Sequence, residues 1–291
     1  MRPDHLTISG CLILTALFAT LEAAQGNDAA KITAEPVAGS VYVLRGSVAN
    51  IVASVGDDGI VMVDDDLNAS AADSILATLK SISGKPLRFV INTHIHEDHT
   101  GGNDAFQEVA PIIAHRNVRT RMASGARKRA AEALPTVTFE SELNLFFNDE
   151  NIRLLKLPAG HTDGDVVVFF TRSNVVAMGD VFMSPAASFV DGSSGGTIVG
   201  LIEALEFVLP QIPADAKVIP GHGPVSSRAD VVRGLEVLKE MKAIVAAGIS
   251  AGKTMEQLVA EKPFEKWQAL IAPGAPTDAY VGRFYRDLTA Q

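Results

Sequence analysis

Six consecutive residues, His94-Ile95-His96-Glu97-Asp98-His99, constrain this chain more than any other feature, because three imidazoles and an aspartate in so short a stretch are four potential metal ligands. The stretch follows an apolar run, Leu87 to Ile91, that leaves a turn at Gly84-Lys85-Pro86 and reads as a buried strand ending just before the motif. Ligands on a strand-end loop can converge. His94 and His96, two residues apart, can present their rings to one metal while Asp98 and His99 turn toward a second. Neutral imidazole and carboxylate suit zinc, and iron or manganese would also accept them. The alternative, a solvated polar loop, is disfavoured by the density of ligand types.

Four residues cannot close two sites, so the rest of the chain must supply more ligands, and three candidates stand out. His161 lies in Pro158-Ala159-Gly160-His161-Thr162 after the apolar run 152–157, Asp180 in Met178-Gly179-Asp180 after Asn174 to Ala177, and His222 in Ile219-Pro220-Gly221-His222-Gly223. Each follows a strand-like run and is flanked by glycine, which lets backbone and side chain approach a crowded centre. Singly, a histidine beside glycines is more often a turn residue than a ligand; beside the first cluster the balance reverses. Of the seven histidines, His5 and His115 remain, and His115 is expected to anchor a loop or a helix start.

The ordered set Thr93 to Gly102 (T-H-x-H-x-D-H-x-G-G), Gly160-His161-Thr162, Gly179-Asp180 and Pro220-Gly221-His222-Gly223 resembles the metallo-β-lactamase superfamily over residues 40 to 225 or so. The resemblance implies an α/β fold, a four-layer αββα sandwich with the metals along one edge. Carried over residue by residue, it implies two zinc ions per chain. His94, His96 and His161 would hold the first, Asp98, His99 and His222 the second, and Asp180 would bridge them. A hydroxide between the metals would attack a carbonyl, with Asp98 as the catalytic candidate that orients it and the second zinc stabilising the departing anion. Asp64, in Val63-Asp64-Asp65-Asp66 at a strand end, is either an acceptor for a ligand histidine or a cap on the next turn.

The periodicity agrees with such a fold. Strands are predicted at 41–45, 49–54, 59–63, 87–91, 110–114, 142–147, 152–157, 166–171 and 174–178. Helices are predicted at 70–82, 116–131 and 198–209, with a largely helical C-terminal extension at 228–247, 254–261 and 277–289. The expected organisation is a metallo-β-lactamase-like domain at 33–225 and an extension at 226–291 packed on it.

Residues 1–24 read as a secretory signal peptide: one basic residue, the mainly apolar Leu6 to Leu21, then Ala23-Ala24. Ile8-Ser9-Gly10-Cys11 is not a lipoprotein box, because the apolar run follows the cysteine. Cys11 is the single cysteine, so a processed chain has neither disulfide nor thiolate ligand. The expectation is a periplasmic or secreted protein with no stable membrane insertion after processing. A net charge of −9 disfavours nucleic acid, which needs a basic field. One segment, Arg116, Arg119, Arg121, Arg127, Lys128 and Arg129, is basic, and reads as a solvated helix face or as a rim for an anionic substrate.

On substrate the resemblance divides. The best known zinc β-lactamases of this superfamily have cysteine where Asp180 stands and lysine where Met183 stands. The bridging aspartate is instead similar to glyoxalase II, lactonases and the ribonuclease Z group. The leader argues against glyoxalase II, export and acidity against ribonuclease Z. Tyr42, Tyr280 and Tyr285 all lie far in sequence from the motifs, against the lactonase pattern. The expectation is an exported zinc hydrolase of a small carbonyl substrate, first a β-lactam or related cyclic amide, then a lactone, ester or thioester. A non-hydrolytic sulfur oxygenase with one iron, or a zinc-holding accessory protein, is the remaining class. Gly192 to Gly196 is read as a loop over the cleft or a linker to the next helix.

Overall fold

The structure is a computed structural model that describes residues 32–66, 69–125, 128–185, 188–271 and 276–290. The leader reading, with His5 and Cys11, and Arg127 of the basic segment lie outside the described residues.

Strands that are apolar on both faces must be covered on both, and this chain has many. Thr33–Ala38 (β1), Val41–Arg45 (β2), Ile51–Gly56 (β3), Gly59–Val63 (β4), Leu87–Ile91 (β5), Ile112–His115 (β6) and Val137–Phe139 (β7) form one sheet in sequence order. It is antiparallel from β1 to β4 and parallel from β4 to β7. Glu142–Phe147 (β8), Glu150–Lys156 (β9), Val166–Phe170 (β10), Val175–Ala177 (β11), Lys217–Ile219 (β12) and Ser226–Ser227 (β13) form the second, in reverse order.

The period of two assigns each side chain to a layer. Val61 and Val63 of β4 and Val166, Val168 and Phe170 of β10 meet between the sheets. Their neighbours Ile60 and Met62 turn outward to Ile75 and Leu79 of α1 (Ala72–Ile82), joined by Phe106. Val167 and Phe169 turn the other way, to Ile198, Leu201 and Leu205 of a helix at Ile198–Val208. Among the described residues the layers are therefore helix, sheet, sheet, helix, the αββα arrangement.

Two short helices, Glu97–Thr100 (α2) and Asn103–Phe106 (α3), follow β5, and Arg116–Ala123 (α4) follows β6; the helix at 198–208 is then α5. Arg228–Ser250 (α6), Met255–Ala260 (α7) and Thr277–Thr289 (α8) put Val231, Leu238, Met241, Leu258, Val281 and Phe284 into the same apolar cluster as α5. Among the described residues no helix is long and apolar enough to cross a membrane.

Several boundaries depart from the sequence reading. The helix predicted at 116–131 stops at Ala123, because Ser124 is extended and Gly125 sits at φ +77°. β1 was not predicted; it carries Pro36 at the sheet edge, where a missing N–H is tolerated. β7, β12 and β13, two or three residues each, are too short to show a period.

Strand direction positions the functional loops. β9, β11 and β12 run the same way, so the loops after Lys156, Ala177 and Ile219 leave from one edge of the second sheet. Val166 N–H donates to Thr93 O at 2.8 Å and Asn50 N–H to Gly221 O at 2.8 Å, tying the first sheet to the second at that edge.

Candidate metal centre

At this edge the structure brings all seven predicted side chains together, in two overlapping groups. His94, His96, His161 and Asp180 place one ligand atom each within 4.8 Å of one another, and so do Asp98, His99, Asp180 and His222. Asp180 belongs to both. Its Oδ2 faces His161 Nε2 at 3.6 Å and His94 Nε2 at 3.9 Å, while Oδ1 faces His99 Nε2 at 3.2 Å and His222 Nε2 at 3.4 Å. Asp98 Oδ2 lies 3.0 Å from His222 Nε2 and 3.5 Å from His99 Nε2.

Glycine makes this crowding possible. A Cβ at Gly221 would stand 1.9 Å from Asp180 Oδ1, and one at Gly179, itself at φ +51°, 2.6 Å from Thr93 Oγ1. Any other residue at Gly221 would push against the aspartate, and any other at Gly179 against Thr93.

Each imidazole uses one nitrogen inside the cluster and is held by the other from outside. His99 Nδ1 donates to Asp64 Oδ2 at 2.8 Å, His161 Nδ1 to Phe189 O at 2.6 Å, His96 Nε2 to Asp191 Oδ2 at 3.0 Å and His222 Nδ1 to Val48 O at 3.2 Å. His94 Nδ1 donates to Thr93 Oγ1 at 3.0 Å, whose hydroxyl donates to Asp64 Oδ2. A carboxylate or carbonyl on the outer nitrogen fixes the tautomer and leaves a bare lone pair on the inner one, the arrangement a metal ligand needs.

The donor set fits cations. His96 Nδ1 and His161 Nε2 face each other at 2.8 Å, a contact in which either one nitrogen carries a hydrogen or a positive centre stands beside both. His94 Nε2, His99 Nε2 and Asp180 Oδ1 are buried and make no hydrogen bond, although His99 and Asp180 approach closely. Burial pushes His94 well below the ordinary histidine range and His161 down to about 4, so both are neutral at pH 7. Burial opposes the charge on Asp98 too, but the facing His222 and His99 rings outweigh it and hold its carboxyl far below the usual range. The same contacts, from Asp180 and Asp98, outweigh burial at His222 and raise it to about 9. The two carboxylates thus require positive charge, which protonated His99 and His222 or a divalent cation can supply.

Of the two roles open to Asp64, it takes the acceptor's: it receives His99, the Thr93 hydroxyl and the Thr93 N–H at 2.8 Å each. His115 caps α4, its Nδ1 accepting from Asn117 N–H, as expected of a helix start. Four cations of the basic segment have partners: Arg121 is bidentate to Asp163 at 2.7 and 2.8 Å, Arg116 pairs with Glu140, and Arg119 and Arg129 donate to the carbonyls of Pro135 and Gly101.

Sequence reasoning missed three contributors. Asp191 bonds His96; its only signal was an aspartate heading a Gly/Ser run. Asp165, raised to about 7 by burial against the hydrogen bonds of Thr162, shapes the turn that carries His161. Asn50 donates to Pro220 O and Gly223 O at 2.8 Å each and holds the His222 loop, and no local pattern marks it. Gly192 to Gly196 leads directly into α5, and its start is pinned: Asp191 accepts from Ser193 and Ser194, and Gly196 N–H donates to Asp191 O. Exposed apolar side chains flank the centre, Phe189 beside His161 with ring centroids 6.4 Å apart, and Val48 beside the carbonyl that receives His222.

A family model described as the metallo-beta-lactamase superfamily matches residues 36–222. A metallo-beta-lactamase type 2 of Bacillus cereus is 26% identical over 181 residues, 62% of this chain and 69% of that protein. The 2,4-dinitroanisole O-demethylase subunit alpha of Nocardioides sp. (strain JS1661) is 30% identical over 164 residues, 55% of this chain and 49% of that protein. Among solved structures, a metallo-beta-lactamase from Pontibacter korlensis superposes with a TM-score of 0.63 at 18% identity, covering 72% of this chain and 99% of that one, which shows a shared fold.

Proposed function

We propose, from the premise that this chain belongs to the metallo-beta-lactamase superfamily, that it is a two-zinc hydrolase of a small carbonyl substrate, in the first instance a β-lactam or related cyclic amide. The observation that carries the reading is the Asp180 carboxylate, one oxygen turned to each ligand group. His94, His96 and His161 would hold one ion, Asp98, His99 and His222 the other, with Asp180 shared. When bound, such a pair makes hydroxide available near neutral pH by lowering the pKa of water from about 15.7 toward about 7, and polarises a carbonyl oxygen.

The protein's own part is positioning and proton handling. Asp98 is only partly buried and stays ionised, so its carboxylate can accept a hydrogen bond from an attacking water and orient it. Asp64, Asp191 and the carbonyls of Phe189 and Val48 keep four imidazoles aimed inward, and the Thr93 hydroxyl keeps His94. The Phe189 and Val48 side chains offer an apolar surface to the non-reacting part of a substrate.

A second reading, cleavage of a lactone, ester or thioester, is favoured by Asp180 and Met183 standing where the best known zinc β-lactamases differ, and by a relative whose name denotes demethylation at oxygen. The complete second group, Asp98, His99 and His222, weighs against a single-iron oxygenase. The leader at 1–24, the hydrolase domain at 33–225 and the extension at 226–291 complete the proposal as a periplasmic or secreted protein.

The test is a panel of nitrocefin, lactones, thioesters and phosphodiesters assayed with zinc-loaded protein, alongside metal analysis. Nitrocefin turnover with about two zincs per chain is expected. Turnover of phosphodiesters alone would overturn the substrate class.

A further inference from the structure

The segment 188–198 orients two of the clustered histidines, through Phe189 O on His161 and the Asp191 carboxylate on His96. Its one regular element is a 3-10 turn at Gly192–Ser194, so its position depends on what holds it from outside.

Part of that hold comes from the 161–163 loop and Arg121, and part from α8, beyond the residues that the family model matches. Tyr280 Oη donates to Ser188 O at 3.4 Å, Arg283 Nη2 donates to Val190 O at 3.0 Å, and Ile198 N–H, at the start of α5, donates to Asp287 Oδ2 at 2.6 Å. Spacings of three and four along a helix put these side chains on one face. The fit is close: a Cβ on Gly192 would stand 2.4 Å from Arg283 Nη1. The adjoining face of α8 is seated in the core by Val281 and Phe284, both essentially fully buried.

We infer that α8 is a strap for one metal site: Tyr280, Arg283 and Asp287 are positioning residues that hold 188–198 where it aims His161 and His96. The inference rests on the reading of His94, His96 and His161 as one ligand set. The Val190 carbonyl gripped by Arg283 lies between the Phe189 carbonyl and the Asp191 side chain, so releasing it loosens both outer hydrogen bonds at once. The other group is held elsewhere, His99 by Asp64 and His222 by Val48, and does not depend on the strap.

The experiment measures zinc binding to the full chain by chelator competition, and cobalt(II) absorption spectra, for wild type, Arg283→Ala, Gly192→Ala, Arg286→Ala and His96→Ala. Gly192→Ala attacks the same contact from the segment's side. Arg286, whose guanidinium faces Met255 and not the 188–198 segment, controls for general loss of helix stability. Outer partners of ligand histidines commonly contribute 10–100-fold in metal affinity, so one contact further out we expect Arg283→Ala and Gly192→Ala to weaken one site about tenfold and spare the other. Arg286→Ala should leave both unchanged. Wild-type affinity at both sites in Arg283→Ala and Gly192→Ala, or equal weakening of the two sites, overturns the strap. If Arg283→Ala does not fold, Arg283→Lys and Gly192→Ala carry the comparison. If His96→Ala still binds two zincs with wild-type affinity, the ligand reading fails and the strap with it; if only His96→Ala is weakened, the strap alone fails.

Discussion

At Asp64 the backbone sits at φ +63°, a conformation few residues other than glycine, asparagine and aspartate adopt, and the carboxylate accepts three hydrogen bonds, from Thr93 N–H, Thr93 Oγ1 and His99 Nδ1. Asp64→Ala leaves the buried Thr93 N–H without a partner. The variant should lose about 1–3 kcal/mol in urea unfolding, and an unchanged midpoint would show that Asp64 does not hold this loop. Asp191→Ala removes the acceptor on His96 and should weaken zinc binding about 10–100-fold by chelator competition. His96→Ala should abolish turnover and keep the far-UV circular dichroism of the wild type, since its ring lies at the edge and not in the apolar core. Unchanged turnover in that variant would refute the site.

Elements are delimited here by capping and turn chemistry as much as by periodicity. α6 begins at a capping box in which Asp230 Oδ2 accepts from Ser227 N–H at 2.8 Å and from its hydroxyl at 2.6 Å. The Ser227 hydroxyl chiefly holds the Asp230 carboxyl below the usual range, so the contribution is present above the unfolded pKa of about 3.9 and is lost as pH falls through the lower folded value. Asp230→Ala should therefore cost about 1 kcal/mol at pH 7, and the difference from wild type should shrink below about pH 4. A difference that persists unchanged at low pH would assign the effect to something other than the charged cap. α4 shows the converse: the sequence pattern predicts a helix to residue 131, but Ser124 and Gly125 end it at Ala123.

For the molecule as a whole, the apolar core and the metal centre are separate sources of order. The inter-sheet cluster and the two sheet-helix clusters contain none of the seven candidate ligands. Removing metal should leave the sandwich folded but less stable, since a ligand that binds only the native state at a hundred times its Kd contributes about 2.7 kcal/mol. Differential scanning calorimetry with and without chelator should show a lower Tm and an intact cooperative transition after chelation. An unfolded chain after chelation would mean that the core does not hold the fold without its ions.

The alternating apolar runs, the helix at 72–82 and the histidines grouped within 94–99 were legible because strand period, helix period and ligand chemistry are local properties of the chain. The order of motifs even placed His161, Asp180 and His222 at strand ends. What no local pattern carried was which side chain would stand behind each imidazole. Asp191, Asn50 and Tyr280 act across 95, 170 and 92 positions respectively. Tyr280 was set aside for its distance in sequence, and packing brings it to Ser188, beside the residue whose carbonyl fixes His161. Those partnerships arise only once two sheets close on each other and α8 docks in the core, because a hydrogen bond between distant residues depends on the positions of whole elements and not on the composition of either segment.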